Sequence, residues 1–214
     1  MNSGGLHFDS AQVVAEDGRA VLSNLTFAVA LGQMAAVVGP NGSGKTMLLL
    51  ACCGVMNLCG VAELLGHDLT TEVGRTAVRG KAVLVPEDMG DFFLTSTVEQ
   101  ELELTARLQG WDRQQIAGKV RAAWEGSGLA GDISRSLAGL NRSETLGLIL
   151  AILDIMEPWL CAWDGIHRQL DEANRSMLIR EWQRMTASGT IVLISCLAED
   201  ELPLADVVIR LGGS

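Results

Sequence analysis

The sequence predicts an α/β fold with a mainly parallel core sheet, and three observations carry that prediction. Met34-Ala35-Ala36-Val37-Val38 is an uninterrupted apolar run of strand length, the pattern of a strand buried on both faces. It leads directly into Gly39-Pro40-Asn41-Gly42-Ser43-Gly44-Lys45-Thr46, which fills every defined position of the phosphate-binding P-loop, and then into the helix-like run Thr46 to Cys53. A second apolar run, Pro158-Trp159-Leu160-Cys161-Ala162-Trp163, ends in the carboxylate Asp164. Strand, phosphate loop, helix and a later strand closed by an acidic residue are the working parts of a P-loop nucleotide site.

The chemistry of the loop follows from its residue types. Glycines let backbone N–H groups turn inward around a β-phosphate, and the helix N-terminus adds partial positive charge. Lys45 can reach the β- and γ-phosphates, and the Thr46 hydroxyl can ligate Mg²⁺. Asp164 is expected to emerge beside Thr46 and hold the same Mg²⁺ through water. The cofactors expected are therefore ATP and Mg²⁺.

In chain order, Leu6 to Val14 and Ala20 to Ala30 read as two antiparallel strands joined by Glu16-Asp17-Gly18-Arg19, with Asp-Gly as the hairpin signal. After the P-loop helix, Gly60 to Gly66 reads as a short strand ending in a turn, and Lys81 to Val85 as an apolar strand stopped by Pro86. A helical stretch follows from about 86 to 156. Ser96-Thr97-Val98-Glu99-Gln100 offers capping-box spacing twice, and helices are expected over Val98–Leu108, Arg113–Glu125 and Arg142–Met156. The loop Asp88 to Leu94 holds two of the four phenylalanines, either as local packing or as a docking surface. Asp171 to Ala187 reads as a helix stopped by Gly189, and Thr190–Ile194 and Ala205–Leu211 as closing strands.

Composition bounds the rest. At 214 residues the chain suits one domain. A net charge of -10 argues against a broad grip on nucleic acid. Cys52, Cys53, Cys59, Cys161 and Cys196 show no paired framework, and His7, His67 and His167 make no metal-ligand spacing with them, so a reducing compartment without a zinc site is expected. Met1-Asn2-Ser3-Gly4-Gly5 lacks the features of a signal peptide, and no apolar run is long enough to span a bilayer, so the chain is expected to be soluble in itself.

The order of these parts resembles the ATP-binding subunit of ABC transporters over nearly the whole chain, with Pro86 through Thr97-Val98-Glu99-Gln100-Glu101-Leu102 most similar to the energy-coupling-factor ATPases. The resemblance implies one ABC-type domain over residues 1–214 with a helical subdomain at about 86–156. It also implies a second ATPase subunit, an integral membrane permease, and a position at the cytoplasmic face of the membrane.

Against that family's pattern several functional groups are replaced. The general-base glutamate after the strand-end aspartate is Gly165, and the switch histidine after the next strand is Cys196, whose thiol cannot take imidazole's role. No glutamine occurs between Gln33 and Gln100, so the Q-loop position falls to Glu87 or Leu84. The family's signature loop corresponds to Leu140-Asn141-Arg142-Ser143-Glu144, where Asn141 and Glu144 have capping-box spacing, or to Leu137-Ala138-Gly139-Leu140-Asn141. Arg142 in a glycine's place would obstruct the approach to a partner's nucleotide or substitute a cation for it; alternatively it is a solvated first-turn arginine. No aromatic residue stands near Val14-Ala15-Glu16, where the family stacks a ring on adenine, and the chain has no tyrosine.

Three functions stay open at this level. The first is a nucleotide-binding, hydrolysis-deficient subunit acting as the structural or regulatory half of a heterodimer with an intact ATPase. The second is an active ATPase using His167, Glu144 or Glu87 near the γ-phosphate, with His167 read otherwise as an exposed loop residue. The third is a soluble nucleotide-sensing module that opens or closes a partner complex.

Overall fold

The computed structural model describes residues 4–126 and 132–212, so Met1, Asn2 and Ser3 of the N-terminal stretch lie outside it. The chain divides into two compact units, Met1–Glu87 with Trp159–Ser214, and Asp88–Pro158.

The first unit contains two sheets. Strands β1 (Gly5–Val14) and β2 (Ala20–Ala30) pair antiparallel, with Phe8 opposite Phe27 and their rings stacked at 4.7 Å, a cross-strand aromatic pair of the kind that fixes register. Strand β3 (Met34–Val38) is buried at every residue, as its unbroken apolar run requires. Helix α1 (Lys45–Cys52) follows the P-loop, and its Leu48, Leu49 and Ala51 enter the core with Leu6, Phe8, Leu160 and Ile191.

One strand boundary differs from expectation, and one helix was not expected. The strand expected from Gly60 starts earlier, as β4 (Asn57–Leu64), because Asn57, Leu58 and Cys59 pair with Val14, Val13 and Gln12. Asparagine's poor strand propensity hid that start. Leu65 (φ 51°) and Gly66 (φ 82°) then turn the chain into the two-residue strand β5 (His67–Asp68), completing the order β2-β1-β4-β5. The stretch after it holds an unexpected helix, α2 (Glu72–Val78). It buries only Gly74 and Val78, too little periodicity to be legible. Local contacts define it: Thr71 caps Gly74 N, Glu72 pairs with Arg75 and Arg79, and a Cβ on Gly74 would lie 1.8 Å from the Asp68 carbonyl.

The parallel sheet has the order β6-β7-β8-β3-β9, with β6 (Ala82–Val85), β7 (Leu160–Trp163), β8 (Ile191–Cys196) and β9 (Val207–Arg210). Register aligns Trp163 with Ile194 and Val38 with Cys196. The carboxyl ends of β3, β7 and β8 thus finish side by side, the position at which open α/β sheets bind ligands. Helix α6 (Glu172–Ala187) is capped by Asp171, whose side chain accepts from Asn174 N.

In the second unit, α3 (Val98–Leu108), α4 (Arg113–Gly126) and α5 (Arg142–Met156) pack around Val98, Leu102, Ala106, Val120, Leu148 and Ile152. Of the two expected caps for α3, Thr97 is used, accepting from Gln100 N. Glu101, only 4% exposed, accepts from Leu94 N, Thr95 N and the Thr95 hydroxyl and so fastens the preceding loop. Phe92 and Phe93 pack against the same core, so these two rings of the Asp88–Leu94 loop serve local packing.

Candidate functional site

The cleft at the carboxyl edge of the parallel sheet is lined by Val21, Asn41, Gly42, Ser43, Gly44, Lys45, Thr46, Met47, Glu87, Asp164 and Arg168, and has a volume of about 380 Å³. That is within the roughly 300–1,000 Å³ of small-molecule sites. All of these residues belong to the first unit.

Gly42 (φ 81°) and Gly44 (φ 93°) put the P-loop through the left-handed region, which side-chain-bearing residues avoid. A Cβ on Gly39 would lie 2.5 Å from Ser43 Oγ, so Gly39 is needed for the loop's closeness to itself. Lys45 is only 8% exposed; its Nζ donates to the carbonyls of Gly39 at 2.6 Å and Pro40 at 2.8 Å. The ammonium is therefore held at the loop mouth by neutral acceptors that a phosphate oxygen would outcompete. Ser43 Oγ is buried with no hydrogen-bond partner among the described residues.

Across the cleft, the Thr46 hydroxyl donates to Asp164 Oδ2 at 2.5 Å, and the Ser195 hydroxyl donates to Asp164 Oδ1 at 2.6 Å. Asp164 follows β7, and Ser195 belongs to the adjacent β8. The two hydroxyls fix both carboxylate oxygens. A hydroxyl beside a carboxylate at the edge of a glycine-rich phosphate nest is a hard oxygen donor set suited to Mg²⁺ carried by a polyphosphate. The residues present thus fit a Mg-nucleotide: Lys45 and the loop would hold phosphate, and Thr46 and Asp164 would hold the metal, which when bound neutralises phosphate charge. Ser195 was not singled out from sequence; its place next to Cys196 at the end of a buried strand was the only available signal.

Gly165 has φ 65° and ψ 2°, and a Cβ there would lie 2.3 Å from Nη2 of Arg168, so a side chain at this position would displace the end of the Arg168 side chain. Cys196 is fully buried, and burial pushes its thiol up to about 12, which keeps it protonated and unreactive. His167 is neither exposed nor a lining residue of the cleft. It is 6% exposed, and its Nε2 lies 3.1 Å from Glu201 Oε2. The other Glu201 oxygen accepts from Leu197 N and Ala198 N, so this cluster pins the loop after β8.

Of the two Q-loop alternatives, Glu87 lines the cleft, whereas Leu84 packs against the core. Asn141 caps α5 in a complete capping box with Glu144, and Arg142 and Ser143 form its exposed first turn. Glu144 also pairs with Arg135 at 2.7 Å, which with the Asn141 N–H holds its carboxyl below the usual range. Leu137–Gly139, the start of the other signature candidate, forms a 3-10 turn, with Leu140 following as its C-cap. Among the described residues no aromatic ring lines the cleft; Val21 and Met47 are its apolar side chains.

Comparison with known proteins agrees with this architecture. Residues 22–158 match the family model of the ABC transporter. The chain is 32% identical over 206 residues to the Fe(3+) ions import ATP-binding protein FbpC of Streptomyces avermitilis, covering 94% of this chain and 59% of that protein. It is 24% identical over 190 residues to the energy-coupling factor transporter ATP-binding protein EcfA of Methanocaldococcus jannaschii, covering 88% of this chain and 68% of that one. Its fold is similar to that of cbiO1 of Clostridium perfringens, part of the ABC transporter complex cbiONQ, with a TM-score of 0.76, 20% identity, and coverage of 97% of this chain and 86% of that one.

Proposed function

Because the chain belongs to the ABC transporter family as an ATP-binding subunit, we propose that it holds Mg-ATP without hydrolysing it efficiently and serves as the structural or regulatory half of an ATPase dimer. The observation that carries this reading is the contrast within one cleft. Thr46 and Asp164 are joined by a hydrogen bond beside the P-loop, while the next residue, Gly165, has no side chain with which to activate water. Loss of a positioned general base lowers turnover by about 10²- to 10⁴-fold and leaves the binding contacts in place. Cys196, neutral and buried, adds no replacement.

The relocated-group alternative loses one of its members, since His167 is engaged with Glu201. Glu87, in the cleft, keeps it open as the second reading. The signature-loop assignment to Leu140, Asn141, Arg142, Ser143 and Glu144 is supported by the capping box that starts α5 there. Arg142 then stands where the family presents glycine to the opposite subunit. The partners in this reading are a different, intact ATPase subunit and an integral membrane permease, with this chain at the cytoplasmic face of the membrane. Among the described residues no helix is long and apolar enough to cross a membrane itself.

Calorimetry with Mg-ATP, alongside phosphate release by the chain alone and with its co-purifying partner, tests the proposal, with Lys45→Ala as control. Binding that weakens about 10- to 100-fold in Lys45→Ala, the scale of lost charge-assisted hydrogen bonds, with no Lys45-dependent turnover, is expected. Turnover by the isolated chain that vanishes in Lys45→Ala would overturn it and make Glu87 the next substitution.

A further inference from the structure

A second cation lines the nucleotide cleft. Arg168, in the 3-10 turn Ile166–Gln169, shares the cleft with Lys45, Thr46, Glu87 and Asp164. Its guanidinium lies against the bare Cα of Gly165: a Cβ there would be 2.3 Å from Nη2 and 3.1 Å from Cζ. Its Nη1 is buried with no hydrogen-bond partner among the described residues. Its Nη2 is 3.9 Å from Glu87 Oε1.

The Glu87 contact does not account for this placement. A formed guanidinium–carboxylate bond is about 2.7–2.9 Å long, and Glu87, whose side chain is 57% exposed, is bonded instead to Gln169 Nε2 at 3.1 Å. A guanidinium carries five donors and no acceptor, so a buried N–H without an acceptor has lost hydration and gained nothing in exchange. The same side chain lines a cleft suited to phosphate, where an anion with several oxygens would supply the guanidinium with acceptors. Glycine at 165 is what permits the arrangement, since any side chain there would displace the guanidinium. A glutamate there would also neutralise it.

We propose that Arg168 is a ligand of the terminal phosphate of a bound nucleoside triphosphate, and that it makes the cleft prefer triphosphate over diphosphate. The proposal rests on the nucleotide-binding reading of the cleft. In exchange for a general base, the position beside Asp164 acquires a cation. The site then retains its nucleotide as a stable, charge-balanced complex and reports which nucleotide is present. Glu87 is the counter-ion that Arg168 faces when no phosphate is bound.

The test is calorimetry of Mg-ATP and Mg-ADP separately on the full chain and on Arg168→Ala, Arg168→Lys and Lys45→Ala, with circular dichroism as the check on folding. Arg168→Ala is expected to weaken Mg-ATP binding about 10- to 100-fold, the scale of charge-assisted hydrogen bonds, with Mg-ADP changed less than about 2-fold. Arg168→Lys is expected to recover only part, because an ammonium cannot make the two-pronged contact. Lys45-dependent binding of both nucleotides with an unchanged ATP-to-ADP ratio in Arg168→Ala would overturn this proposal alone. Equal weakening of both nucleotides in that variant would overturn it too, leaving Arg168 a general electrostatic contributor. Absence of Lys45-dependent binding in the parent chain would overturn the nucleotide reading together with it.

Discussion

Thr46 and Asp164, 118 residues apart in sequence, meet in a 2.5 Å hydrogen bond, and Ser195 holds the other oxygen of the same carboxylate at 2.6 Å. Thr46 opens α1 after β3, and Asp164 and Ser195 lie at the ends of the adjacent β7 and β8, so the carboxylate proposed to hold the metal also satisfies a fully buried hydroxyl.

Asp164→Ala therefore does more than remove the proposed metal ligand. The Ser195 hydroxyl, 0% exposed, loses its acceptor, and an unsatisfied buried donor costs about 1–3 kcal/mol. Urea unfolding without nucleotide should show that loss. Asp164→Asn, which keeps a carbonyl oxygen, should retain most of the stability while abolishing the Mg²⁺ dependence of nucleotide binding.

Gly165→Ala should destabilise the chain by about 1–2 kcal/mol, because φ 65° is a left-handed conformation that penalises any L side chain. The added methyl also pushes on the Arg168 guanidinium. Restoring the family's residue with Gly165→Glu should not by itself produce phosphate release, since the new carboxylate would meet Arg168 first. Gly165→Glu combined with Arg168→Ser is expected to raise turnover at least about 10-fold above Gly165→Glu alone, measured by phosphate release. Equal rates in the two variants would disprove the idea that Arg168 blocks the position.

His167 gives a stability signal in its own pH window. Burial pushes its pKa below the ordinary value of 6.5, with the Glu201 carboxylate pulling it partly back. As pH falls through about 6.5 the unfolded chain takes up a proton that the native His167 refuses, so stability declines until the depressed native pKa is reached, and then levels. His167→Gln should flatten that decline where it sets in, below about pH 6.5. Carboxyls held low by arginines, such as Glu144 by Arg135 and Glu199 by Arg210, lose their contribution at lower pH and leave this window clear.

Asn141→Ala should cost about 1 kcal/mol, the usual worth of an N-cap side chain, and leave Mg-ATP affinity of the isolated chain unchanged. Asn141 Oδ1 accepts from Glu144 N at 3.0 Å, and Glu144 Oε2 accepts from the backbone Asn141 N–H at 2.8 Å, so the substitution removes the first half of the capping box and leaves the second. Thermal unfolding and calorimetry read the two effects separately.

Much of this was legible in the sequence because it is written in local, periodic or motif form. The unbroken run Met34–Val38, the Gly39–Thr46 loop and the capping pair Asn141 and Glu144 each announce an element through neighbours in the chain. Strand β4 and helix α2 were misread or missed because their definition is not local: Asn57 is a strand residue only because Val14 lies across from it, and α2 has too few buried side chains to show a period.

Residue type and spacing were enough for the P-loop, the β3, β6 and β7 strands, the helices other than α2, the strand-end carboxylate and the absence of a glutamate after it. Which hydroxyls hold Asp164, that His167 turns to Glu201, and that Arg168 lies over Gly165 emerge with the folded chain. Those relations join residues on different strands and turns, where the direction of a side chain depends on the register of the parallel sheet and on the space its neighbours leave.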